Sequence, residues 1–125
     1  MEAANRTFIS STFWTERIGS VAALAALKAM EEENAPARVF SIGQEVVQAW
    51  SEVFRHFKIS ARISGLPALS SFELVGRDGP TVKSFITAEM LQLGFLAGNS
   101  FYASIAHSPD LLRSYTEAFS SVMDK

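Results

Sequence analysis

A run of hydroxyl side chains lies between apolar residues near the amino end, in Phe8-Ile9-Ser10-Ser11-Thr12-Phe13-Trp14-Thr15-Glu16-Arg17-Ile18-Gly19. It leads into a stretch of helix formers. Backbone N–H groups at a helix start, joined by Ser and Thr hydroxyls, can hold the oxygens of a phosphate without a Lys or a Gly-rich loop. The same spacing also suits a plainer role, in which Thr12 or Thr15 caps the helix, and both readings stay open. His107, in Ser104-Ile105-Ala106-His107-Ser108-Pro109-Asp110, stands where an acid–base group could be sought. A single His with no patterned carboxylate or nucleophile beside it reads as structural. His56 sits among aromatic residues, and two His without any Cys would leave a metal site dependent on scattered carboxylates, so no metal is expected. Glu31, Glu32 and Glu33 read as a solvated helix end, Glu89 as the border of an apolar stripe, and Trp14 and Trp50 as packing residues.

The elements that would position these residues follow from periodicity. Glu16 to Glu33 is mostly helix formers, with Ile18, Val21, Ala22, Ala25 and Met30 on or near one face; Asn34, Ala35 and Pro36 end it. Ser41 and Gln44 have the form of a capping box. Behind them Val46, Val47, Trp50, Val53, Phe54 and Phe57 recur at helical spacing, which predicts a second helix to about Lys58. Ile59, Ala61 and Ile63 then alternate with polar residues, and after Gly65-Leu66-Pro67 a second extended run covers Ser70 to Val75. Arg77-Asp78-Gly79-Pro80 is turn chemistry, followed by an amphipathic third helix carrying Val82, Phe85, Ile86, Met90 and Leu93 to Gly94. Ser100 to Ala106 reads as a third strand. Ser108-Pro109-Asp110 supplies a cap, a first-turn Pro and an acid at the positive end of a fourth helix. The order predicts an α+β fold: a small, mostly antiparallel three-stranded sheet with about four helices packed on it, read as a single unit with no internal boundary.

At 125 residues the chain is long enough for one hydrophobic core. Hydrophobic residues make up 48% and charged residues 19%, a composition far from disorder and oily enough to leave some apolar surface for a partner domain or subunit. The net charge is −2 with no basic run, which argues against nucleic acid as a partner. No Cys is present, so disulfides and thiolate metal sites are excluded and a reducing, cytoplasmic setting is the default. Val21 to Leu27 is far too short to span a membrane, so none is expected as a partner.

The blocks FISSTFWTERIGSVAALAALKAM, ISGLPALSSFEL and SFITAEMLQLGFLAGNSFYASIAHS, in this order and followed by a last helix, resemble the C-terminal region of class III aminotransferases. Within that family the likeness is to the glutamate-1-semialdehyde aminomutase-like branch, and it covers essentially the whole chain. The resemblance implies the small domain of a pyridoxal-phosphate (PLP) enzyme that transfers or migrates an amino group on a small amino-acid or amino-ketone substrate. It also implies that Thr12, with Ser11 as a neighbour, contacts the cofactor phosphate, reaching across a homodimer. Two departures stand out. Many members continue through a Gly-Asn-Pro helix start where this chain has Glu16 and Arg17, and many ω-transaminase-like members place a carboxylate-binding Arg where Leu96 to Ser100 has none. The family's Schiff-base Lys and the Asp that pairs with the pyridine nitrogen lie upstream of the matched region. Lys28, Lys58, Lys83 and Lys125 read instead as solvated charges, so no catalytic residue is assigned and the isolated chain is expected to be inactive without a large PLP-binding domain or subunit. The rival expectation is a free-standing α+β interaction or regulatory module without PLP chemistry.

Overall fold

The computed structural model describes residues 16–76 and 78–125, which form four helices and a three-stranded antiparallel sheet. The chain divides into two compact units, Met1–Asn34 and Ala35–Lys125.

In the first unit, α1 (Arg17–Glu32) is built from Ala, Leu and other strong helix formers. It closes with the Glu33 N–H donating to the Ala29 carbonyl at 2.9 Å, while Asn34 turns into the left-handed region at φ 47, which Asn tolerates better than most residues. None of its residues is buried, so the expected single packed face is not observed.

The second unit opens with α2 (Ala35–His56), which starts six residues before the capping box expected at Ser41. The reason is Pro36. In the first turn its missing N–H has no intrahelical acceptor to lose, so the residue expected only to end one helix begins the next. α2 buries Val46, Trp50, Val53 and Phe54 along one stripe. At its end the Ile59 N–H returns to the Phe54 carbonyl at 2.8 Å and Lys58 adopts φ 56. Ile59 therefore belongs to the helix terminus, and the first strand begins later than its alternation suggested.

β1 (Ala61–Leu66) pairs with β2 (Leu69–Leu74), placing Arg62 opposite Glu73, Ser64 opposite Ser71 and Leu66 opposite Leu69. The hairpin tip is held from inside by Ser70, whose hydroxyl donates to the carbonyls of Leu66 and Pro67 at 2.9 and 3.1 Å. The tip rests on α2 at Gly43. A Cβ there would lie 1.8 Å from the Pro67 carbonyl oxygen, so only glycine lets backbone meet backbone.

α3 (Gly79–Gln92) starts within the stretch read as a turn: Asp78 accepts from the Thr81 N–H at 3.1 Å and from its hydroxyl. Only Ile86 and Met90 are buried on it. Phe85 and Leu93 of the expected stripe are exposed, so α3 is apolar on more than one side rather than cleanly amphipathic. β3 (Ser100–Tyr102) pairs with β2 through Leu69 opposite Tyr102 and Ser71 opposite Ser100. It ends well short of Ala106 because the chain folds into a turn. There the Ser104 N–H donates to His107 Nδ1 at 3.0 Å, and the His107 N–H donates to the Ser104 carbonyl at 3.0 Å. α4 (Pro109–Met123) follows, its Leu111 N–H capped by the Ser108 hydroxyl at 3.2 Å as expected.

The core lies between the sheet and α2, α3 and α4. Phe72 stands edge-on to Trp50 at 4.9 Å, to Phe54 at 5.1 Å and to Phe119 at 5.6 Å between ring centroids. Each such aromatic contributes about 1.5–3 kcal/mol by burial, and the edge-on geometry adds a fraction to that. The buried Trp50 indole donates to the Tyr115 hydroxyl at 2.9 Å, so the one polar atom this large ring brings into the core is satisfied.

Candidate functional site

Side chains alternate across the sheet. Ile63, Ser70, Phe72 and Phe101 face the helices. The opposite face therefore carries Arg62, Ser64 and Leu66 from β1, Leu69, Ser71 and Glu73 from β2, and Ser100 and Tyr102 from β3. The register sorts these into three rows: Arg62 with Glu73, Ser64 with Ser71 and Ser100, and Leu66 with Leu69 and Tyr102. The Ser64 and Ser71 hydroxyls stand 3.4 Å apart, a single loose hydrogen bond that leaves both with capacity to spare.

Beside the serine row is an open groove of about 590 Å³, lined among others by Ser64, Ser71, Glu73, Lys83, Asn99 and Ser100. Asn99 extends the ladder one step past β3. Its carbonyl accepts from the Phe72 N–H at 2.9 Å, and its side-chain amide donates back to the Phe72 carbonyl at 3.1 Å. The stem of Lys83 passes close to Gly98, where an added Cβ would lie 3.8 Å from Lys83 Cε and 3.3 Å from Thr87 Oγ1. One ammonium among hydroxyls can attract a carboxylate, but Glu73 shares the groove and opposes it. Among the described residues no acid–base pair completes a catalytic set there.

A second hollow of about 260 Å³ is mostly apolar and includes Phe95, Leu96, Phe101, Tyr102, His107 and Tyr115. His107 spends Nδ1 on the Ser104 N–H and packs its ring 4.9 Å from Phe101, which makes it a loop fastener. Burial pushes the Tyr115 phenol up to about 12, only partly offset by the Trp50 hydrogen bond, so it stays protonated at neutral pH and offers no base.

Ser11 and Thr12 lie outside the described residues, so the structure brings neither to a site. The four lysines are all exposed. Lys28 pairs with Glu32 at 3.6 Å, Lys125 pairs with the half-buried Glu89, Lys58 follows α2 and Lys83 borders the groove. No buried carboxylate among the described residues faces a hollow beside any of them, so these residues do not make a seat for PLP: they supply neither a sequestered amine nor an acid for the pyridine nitrogen. Among the described residues no cluster of three or more His, Asp or Glu side chains could hold a metal ion, and no helix is long and apolar enough to cross a membrane. Sequence reasoning did not single out the outer sheet face. Its signal was present in the alternation of Arg62, Ser64 and Leu66 and of Leu69, Ser71 and Glu73, but alternation alone does not say which side the helices cover.

No family model matches the sequence, and no curated protein does. A solved structure of the FumI protein of Sphingopyxis sp. MTA144, in its PLP internal aldimine form, superposes on 98% of this chain with a TM-score of 0.85 at 17% sequence identity. The chain spans 30% of that protein's length. The likeness establishes the fold: the antiparallel three-stranded sheet and four helices have the architecture of part of a PLP protein, as the sequence resemblance implied.

Proposed function

We propose that the chain is the small C-terminal domain of a PLP-dependent enzyme of the class III aminotransferase type, similar to glutamate-1-semialdehyde aminomutase. It works with a larger PLP-binding domain or subunit in a homodimer, on a small amino-acid or amino-ketone substrate. The observation that carries this reading is the superposition of nearly the whole chain on less than a third of a PLP protein. The described lysines and carboxylates fit it, because a domain of this kind leaves the amine and the pyridine partner to the rest of the enzyme. PLP, when bound, supplies the electron sink for amino-group transfer or migration. This chain's part is to close over the substrate and, through the Thr12 hydroxyl with Ser11 beside it, to hold the cofactor phosphate.

The test is to purify the chain natively from its source, with whatever it is covalently or non-covalently joined to, and assay amino-group exchange between small amino acids and keto acids or amino ketones. PLP-dependent exchange is expected from the assembly and not from residues 1–125 alone. A free-standing interaction or regulatory module would give an assembly with neither PLP nor exchange.

A further inference from the structure

The turn between β3 and α4 is closed by two bonds between the same pair of residues. The Ser104 N–H donates to His107 Nδ1 and the His107 N–H donates to the Ser104 carbonyl, each at 3.0 Å, while the Ser104 hydroxyl accepts from the Ala106 N–H at 3.3 Å. A ring nitrogen that accepts carries no proton. The closed turn therefore holds the imidazole neutral, with its one hydrogen on Nε2. Once Nδ1 gains a proton, two donors face each other across the same gap and the bond is lost.

The described residues around the ring offer an imidazolium little in return. Phe101, 4.9 Å from the ring, attracts a cation only weakly through its π face. The hollow beside it is walled by Phe95, Leu111 and Leu112, and its other titratable members are the phenols of Tyr102 and Tyr115. Lys83, a cation, borders the adjoining groove past Leu96 and Tyr102. On α4, His107 stands just before the Ser108 cap, at the positive end of the helix dipole, and Asp110 in that first turn is paired with Arg113 at 3.3 Å. Glu45 of α2 lines a separate hollow with Pro109 and Arg113, to which His107 does not belong.

We propose that the Ser104–His107 turn is a proton-released latch: protonation of His107 at Nδ1 frees the Ser104 N–H, lifts the ring off Phe101 and opens the link between β3 and α4. The latch is closed above the imidazole range and opens as pH falls through it, between about pH 8 and about pH 5. Opening also loosens the last rung of the sheet, where the Ala103 N–H donates to the Ala68 carbonyl at 2.9 Å, and uncovers the hollow over Tyr115. The inference stands apart from the function proposed above.

The test follows the full chain by NMR from about pH 8 to about pH 5. It reads the His107 ring nitrogens, and the protection of the Ala103 and Ser104 amides relative to their intrinsic exchange rates. At the alkaline end Nδ1 should be the bare nitrogen and Nε2 the protonated one. As the ring takes up its proton, Ser104 protection should fall about five- to tenfold, the worth of one hydrogen bond, while Trp50 and Val53 of α2 keep theirs. Two variants bracket the parent. His107→Asn keeps an acceptor oxygen near the place of Nδ1 but does not titrate, so Ser104 protection should stay high throughout; His107→Phe keeps a ring without an acceptor, so it should be low throughout. A proton on Nδ1 at the alkaline end, Ser104 protection that persists to the acid end, or the same acid loss in His107→Asn as in the parent overturns the latch. The first two outcomes are read on the parent itself and decide the matter even where neither variant folds.

Discussion

Replacing Tyr115 by Phe removes one oxygen from the centre of the second unit and nothing else. Tyr115 is 6% exposed, and its hydroxyl is the acceptor for the indole N–H of Trp50, which is fully buried. The phenyl ring can keep its place against Phe95, Phe101 and Phe119, so the change isolates the polar contact. A buried donor left without an acceptor costs about 1–3 kcal/mol. With an unfolding entropy of about 2.1 cal/mol/K per residue, a chain of this length shifts its Tm by about 4 °C for each kcal/mol, so a fall of about 4–12 °C is expected. The loss should nearly vanish in a Trp50→Phe background, where no indole remains to be orphaned, giving a coupling energy of about 1–3 kcal/mol between the two sites. The same residue sets an alkaline limb. The native phenol titrates near 12 and the unfolded one at 10.0. The unfolded chain therefore ionises first, and stability intact below pH 10 falls as pH rises toward 12, by at most about 2.7 kcal/mol. Denaturant titrations at pH 7 and across the alkaline range measure both effects. A Tyr115→Phe protein within about 0.3 kcal/mol of the parent at pH 7, with the alkaline limb still present, would refute the assignment of this pair as the core's polar tie.

Three further outcomes are expected. Gly43→Ala should destabilise by about 1–3 kcal/mol in denaturant unfolding, because the steric cost of a Cβ placed 1.8 Å from the Pro67 carbonyl exceeds the roughly 1 kcal/mol of helix propensity that alanine adds. The Thr81 hydroxyl, and after it the Thr81 N–H, hold the Asp78 carboxyl below its ordinary value of 3.8. Its capping contribution is therefore present above that value and lost as pH falls through the lowered native one, and the protection of amides at the start of α3, relative to their intrinsic exchange rates, should fall on acidification in the parent but already be low in Asp78→Ala. In the assembled enzyme, Thr12→Ala should weaken PLP retention on dialysis by about tenfold, as befits one charge-assisted hydrogen bond to phosphate; unchanged retention would remove Thr12 from the cofactor site.

Much of the fold was legible where local chemistry and burial agree. Ser108-Pro109-Asp110 starts α4 because cap, proline and acid each favour a helix there, and Trp50, Val53 and Phe54 mark the buried stripe of α2 by spacing alone. Misreadings arose where one residue serves two purposes. Pro36 can follow one helix or open the next, and Ser41 with Gln44 satisfies the capping pattern from within α2, where no cap is needed. The third strand was read too long because Ile105 follows the strand-favouring Phe101 and Tyr102, whereas the Ser104 and His107 hydrogen bonds that close the turn depend on side-chain geometry that periodicity does not encode. Gly43 gave no sequence signal of its role, since its requirement comes from Pro67, 24 positions away. Of the candidate site, the hydroxyl run was visible as a type of chemistry, but Ser11 and Thr12 fall outside the described residues. The sheet face became visible only once the helices were seen to occupy the other side.

The measurement closest to the central claim is a peptide map of the native assembly after borohydride reduction, which fixes any PLP-bearing lysine as a stable pyridoxyl derivative. The account predicts the label on a lysine outside residues 1–125, with Lys28, Lys58, Lys83 and Lys125 unlabelled. A stoichiometric label on one of those four, or no label anywhere in the assembly, would contradict it.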